Sequence, residues 1–168
     1  QTTVDGSTQP GGRKKGPRII IDGQGSHNYG FNLYTGGNVV RGVAMQNFKT
    51  HVIIGSDNNL VEKSWFGLSD DGQHLSAGDD FTYEGGSGVS VNSDNNIIRG
   101  NVFAGFWGTS FSISSSGDNN VFSGNKVGTL AFSPQPNDVA PGAPIPWRGS
   151  QIEAMPEGAH QVRSKTPS

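Results

Sequence analysis

Asp70, Asp71, Asp79, Asp80 and Glu84, with His74 among them, come nearest in this chain to a cluster that could do chemistry. Two carboxylates held close together can act as general acid and base on a glycosidic bond. A group of carboxylate oxygens can also ligate calcium. Asp70 and Asp71, however, stand in Ser-Asp-Asp-Gly, which is an ordinary turn sequence. A solvated acidic loop is the preferred reading, and Asp70, Asp71, Asp79 and Asp80 are kept as weak calcium candidates. The four histidines, His27, His51, His74 and His160, show no ligand spacing and read as surface residues. No catalytic residue, metal or cofactor is expected.

Two other stretches could make contacts. Arg13, Lys14, Lys15 and Arg18 lie between Gly11 and Arg18, bracketed by glycine and proline. They make an exposed basic loop, either a solvated turn or a contact to an anionic surface. Near the other end, Ala143-Pro144-Ile145-Pro146-Trp147-Arg148 reads as an extended arm with one aromatic anchor. Ile145, Trp147, Arg148, Ile152 and Met155 are the candidate partner contacts there. Trp107, and Trp65 with it, fit no clear inward slot: they either face outward, where a Trp can stack on a sugar ring or anchor an interface, or pack under the insertion.

The elements that position these residues follow from a recurring phrase. Asp94-Asn95-Asn96-Ile97-Ile98-Arg99-Gly100-Asn101 returns as Asp118-Asn119-Asn120-Val121-Phe122-Ser123-Gly124-Asn125. Asp57-Asn58-Asn59-Leu60-Val61 is a shorter copy, and Gly37-Asn38-Val39-Val40-Arg41-Gly42 a degenerate one. With the last Asn as anchor, the positions are 38, 59, 96 and 120, so the steps are 21, 37 and 24 residues. A period in the low twenties with one insertion is the mark of a stacked repeat. Short alternating strands precede each anchor: Phe31/Leu33, Val52/Ile54, Val89/Val91 and Phe111/Ile113. An apolar pair follows it, and seven residues beyond it stand Met45, Phe66, Phe103 and Val127. Ile21 takes the Met45 slot one turn earlier, and Thr3-Val4-Asp5-Gly6 echoes Ile20-Ile21-Asp22-Gly23. Asn and Gly suit the corners because they tolerate the left-handed backbone region.

On these residues the chain resembles the right-handed parallel β-helix repeat proteins, the pectin-lyase-like superfold found in large bacterial extracellular surface proteins. The resemblance covers roughly residues 2–130. It implies an all-β fold, a short right-handed parallel β-helix of about five turns and three parallel sheets. One long loop insertion, 67–87, interrupts it, and an extended Pro-rich tail, 131–168, follows. It also implies an extracytoplasmic setting, whether periplasmic, cell-surface or secreted. That fold hosts polysaccharide lyases and hydrolases as well as adhesins, so it leaves activity open. The Gly-His-Gly and Arg-x-Lys of the hydrolases are absent, and no basic residue stands beside the acids as a lyase would need.

Composition agrees with many corners around a thin core: 26 of 168 residues are Gly and only 32% are hydrophobic. A net charge of −2 gives no bulk attraction to nucleic acid. With no cysteine, disulfides and thiolate metal sites are excluded. No long apolar run suggests a membrane span, and Gln1 suits either a mature terminus or a boundary within a longer chain. Pro134, Pro136, Pro141, Pro144, Pro146, Pro156 and Pro167 break any strand in the tail, which therefore needs another surface to lie on. The leading expectation is a non-catalytic structural or docking subunit, strapped by its tail onto a larger assembly such as a filament, surface layer or membrane complex. The alternatives are a small carbohydrate-active enzyme or carbohydrate-binding module, and a fragment of a long adhesin.

Overall fold

A computed structural model describes residues 1–10, 16–73, 75–76, 87–104, 106, 111–113 (backbone only) and 117–128. Twelve strands appear in chain order: β1 Thr3–Asp5, β2 Ile19–Leu33, β3 Val39–Arg41, β4 Val43–Ile54, β5 Leu60–Glu62, β6 Trp65–Phe66, β7 Ser87–Val91, β8 Ile97–Arg99, β9 Val102–Phe103, β10 Phe111–Ile113, β11 Val121–Ser123 and β12 Lys126–Val127. Every pairing between them is parallel. One single-turn 3-10 helix, Gly6–Thr8, follows β1. Among the described residues no helix is long and apolar enough to cross a membrane.

The repeat steps set the register. Val39 pairs with Leu60, Leu60 with Ile97, and Ile97 with Val121. Ile54 pairs with Val91 and Val91 with Ile113, so the inward slots stand in line. Ile21, Met45, Phe66, Phe103 and Val127 make a second row, each paired to the next. Because side chains alternate along a strand, this register sends one set inward in every turn. Val40, Met45, Val52, Ile54, Val61, Phe66, Val89, Val91, Ile98 and Phe103 are all buried in one core. The Phe66 and Phe103 rings stack at 5.0 Å.

The expected three-sheet β-helix needs correction. The strands form two parallel sheets: five strands in the order β1-β3-β5-β8-β11, and seven in the order β10-β7-β4-β6-β9-β12, with β2 beside β4. The reason is local. β4 runs unbroken from Val43 to Ile54, so its ladder continues through the corner. A single left-handed residue, Asn47 at φ 57°, takes up the bend. The first half of β4 pairs with β6 and the second with β7, which joins what sequence reasoning separates. β2 does the same through Gln24 and Gly25, where its register against β4 shifts. A smaller correction concerns Thr3–Asp5. It is not a second copy of Ile20–Gly23 but pairs with Val39–Arg41, in the other sheet.

The paired asparagines divide the corner's work. Asn58, Asn95 and Asn119 take the left-handed conformation, at φ 61°, 57° and 55°, and Gly37 does so in the first copy. The second Asn of each pair turns its side chain along the stack. Asn59 Oδ1 accepts from Asn38 N at 2.9 Å, Asn96 Oδ1 from Asn59 N at 2.8 Å, and Asn120 Oδ1 from Asn96 N at 2.9 Å. Asn101 and Asn125 continue a second ladder from Ser64, with Ser64 N to Asn101 Oδ1 at 3.0 Å and Asn101 N to Asn125 Oδ1 at 2.9 Å. Asn59, Asn96 and Asn101 are buried, and each bond satisfies a backbone donor that the bend takes out of the strand ladder.

Candidate functional site

Three residues past each anchor, one column carries alternating charge. Asp5, Arg41, Glu62 and Arg99 follow one another up the five-stranded sheet. Arg41 Nε donates to Asp5 Oδ2 at 2.7 Å, and its Nη1 lies 3.7 Å from Glu62 Oε1. Arg99 Nε donates to the other Glu62 oxygen at 2.8 Å. The Glu62 side chain is only 5% exposed, and a buried carboxylate needs this pairing from both sides. The Arg41 guanidinium, and after it the Ser7 hydroxyl, hold Asp5 down to about 2. The column thus neutralises itself, and its carboxylates are engaged in ion pairs rather than open to chemistry.

One residue further on, the chain turns the second corner. Gly42, Lys63, Gly100 and Gly124 occupy successive turns with φ of 64°, 52°, 62° and 60°. The row holds three glycines and one lysine, although a side chain in this region costs about 1–2 kcal/mol. Beside it opens a hollow of about 390 Å³. Lys63 and Arg18 supply its cations, Trp65 and Pro17 an apolar wall, and Ser7 a hydroxyl. Arg18 and Lys63 are exposed, whereas Pro17 is buried and Trp65 is 7% exposed. Arg18 Nη1 donates to the Pro10 carbonyl, which fixes the guanidinium at the rim. Gly16, at φ 115°, lies against the Trp65 ring so closely that a β-carbon there would overlap it. Trp65 therefore packs under Gly16 instead of facing outward.

The remaining candidates separate. Asp70 and Asp71 belong to a turn in which Gly72 N donates to Ser69 O at 3.0 Å. Asp71 Oδ1 accepts from Ser69 Oγ at 2.5 Å and from Gln73 N at 2.8 Å, which shapes that turn. Asp79, Asp80, Glu84 and His74 lie outside the described residues, as do Arg13, Lys14, Lys15, Trp107, Ile145, Trp147, Arg148, Ile152 and Met155. The carboxylates of Asp57 and Asp94 accept the backbone N–H of the next turn's Asp, at 2.9 and 2.8 Å.

His51 is no surface residue. It is 2% exposed, and its ring packs edge-on against Phe48, Phe66 and Phe106 at 5.7, 5.9 and 5.1 Å. Nδ1 lies 3.3 Å from the Ser87 carbonyl, and among the described residues Nε2 has no hydrogen-bond partner. Burial pushes its pKa down to about 4, against the opposing pull of the Ser87 and Met45 carbonyls.

Sequence reasoning passed over the charge column and Lys63, yet both leave a signal once the repeats are aligned. The position three past the anchor reads Arg41, Glu62, Arg99, Ser123, and the next reads Gly42, Lys63, Gly100, Gly124. No protein-family model, curated protein or solved structure matches this chain.

Proposed function

We propose that this chain is a non-catalytic docking subunit, a rigid stack of short parallel strands that attaches to a larger protein assembly. The observation that carries the reading is an open sheet end. Among the described residues, β1 and β2 are each paired on one side only. Ile20, on β2, is 37% exposed. Open strand edges beside apolar side chains are templates for another polypeptide. The segment 131–168, with Ile145, Trp147, Ile152 and Met155, is the strap in this reading. An extracytoplasmic setting belongs to it too and rests on the repeat resemblance alone.

The test is chemical as well as structural. Purified chain incubated with neutral and uronate polysaccharides, with and without calcium, should release no products. Turnover that disappears in Asp79→Ala or Asp80→Ala would replace the docking reading with an enzymatic one.

A further inference from the structure

We propose that the hollow between Lys63, Arg18 and Trp65 is a binding site for a phosphomonoester group. Three independent observations converge there. The first is backbone cost. Lys63 holds a left-handed conformation at a corner where Gly42, Gly100 and Gly124 stand in the neighbouring turns. A residue kept in a strained conformation that glycine would relieve points to a use for its side chain.

The second is charge. The acids nearest the hollow, Asp5 and Glu62, are consumed by Arg41 and Arg99 in the self-neutralising column. Among the described residues no carboxylate pairs with Lys63 or Arg18, so two positive charges face the hollow uncompensated. The third is shape. The neighbouring corner positions are glycines, and a β-carbon added at Gly100 would come no closer than 4.0 Å to Lys63 Cγ. The row is open on the Gly100 side of the lysine, whereas at Gly42 the Ser7 backbone closes in to 2.8 Å from where a β-carbon would stand.

Two converging cations select the ligand class. A phosphomonoester carries about −1.5 to −2 charge at neutral pH, matching both, whereas a single carboxylate would leave one unmatched. The two residues also divide the recognition. The Arg18 fork offers planar paired donors, and Lys63 offers a point charge that adapts to a tetrahedral group. The volume exceeds that of the phosphate head alone, so the apolar wall of Trp65 and Pro17 is left for whatever carries it.

The experiment titrates the full chain with glycerol 3-phosphate by calorimetry and, in parallel, sediments it with phosphatidylcholine vesicles with and without phosphatidic acid. Saturable binding of glycerol 3-phosphate is expected, with glycerol alone inert. Lys63→Gly and Arg18→Gln should each weaken it about tenfold or more, the loss of one charged hydrogen bond, tenfold being about 1.4 kcal/mol. Circular dichroism and melting curves verify folding, and Lys63→Gly relieves strain, so lost binding there cannot be blamed on misfolding. Binding of phosphatidic acid vesicles with the same residue dependence identifies a lipid-borne phosphate. Binding of the soluble ester alone identifies a small solute. No saturable binding of glycerol 3-phosphate, binding unchanged in both variants, or equal competition by poly-glutamate would each overturn the proposal. This result is independent of whether the sheet ends dock a partner.

Discussion

Lys63 and His51 are two residues whose placement costs the fold something, and each cost can be measured. Replacing Lys63 by glycine removes the left-handed penalty of about 1–2 kcal/mol, partly offset by the greater freedom of glycine in the unfolded chain. Lys63→Gly should therefore be more stable by about 0.5–1 kcal/mol in urea unfolding, and a destabilised variant would mean that the lysine makes contacts that hold the corner. His51 must stay neutral while folded, because its pKa lies at about 4 against an ordinary 6.5. A depressed histidine pKa means that the unfolded chain takes up the proton first. The stability His51 gives is complete above pH 6.5, starts to fall below it, and is down by about 3 kcal/mol once the pH passes below 4. The Asp5 carboxyl, held at about 2, loses its contribution only below its ordinary 3.8, so the two windows separate. Urea midpoints from pH 7.5 to 4.5 should show the native chain losing stability relative to His51→Phe as the pH falls. Parallel curves would show that His51 is not the titrating group. Sequence placed neither residue. A buried histidine looks like a surface one until the aromatic cage of Phe48, Phe66 and Phe106 closes, and those partners lie in different turns.

Among the elements, the short strands were readable because their period-two pattern is strict. Ile54, Val91 and Ile113 stand in register, and so do Met45, Phe66 and Phe103. The sheet count was not readable. The corner is bridged in β4 by Asn47 and in β2 by Gln24 and Gly25, and no local signal separates a bridging Asn or Gly from a terminating one. The burial of Trp65 was hidden for a related reason, since Gly16, which covers it, comes from a loop far away in sequence. The polar ladders and the apolar slots make different demands. Asn96→Ala leaves Asn59 N–H buried without its acceptor and weakens the Asn59 side-chain amide. The expected loss is about 2–4 kcal/mol. Ile98→Ala removes core packing from the adjacent strand at about 2–5 kcal/mol. Equilibrium urea unfolding should find both of that size. A near-neutral Asn96→Ala would mean that water replaces the ladder and that the asparagines shape the bend without securing it.

At the scale of the whole molecule, a core of stacked rows makes a stiff body whose surface chemistry is concentrated at the corners and ends. Glu62 and Asp5 serve the stack through the charge column, and Asp57 and Asp94 serve it through backbone caps. In the proposed docking reading, the open edges of β1 and β2 are the place for association. The last strand of the described residues ends at Val127, so removing residues 140–168 leaves every described strand in place. The central claim is tested most directly by the mass, from light scattering, of particles purified under native conditions from cells producing the full chain, the chain ending at residue 139, or Trp147→Ala. Docking through the strap predicts a large particle for the full chain and a monomer for the truncated one. Trp147→Ala should dissociate it markedly, by about 2 kcal/mol or more for a hot spot. Particles of equal mass from all three chains would contradict the account.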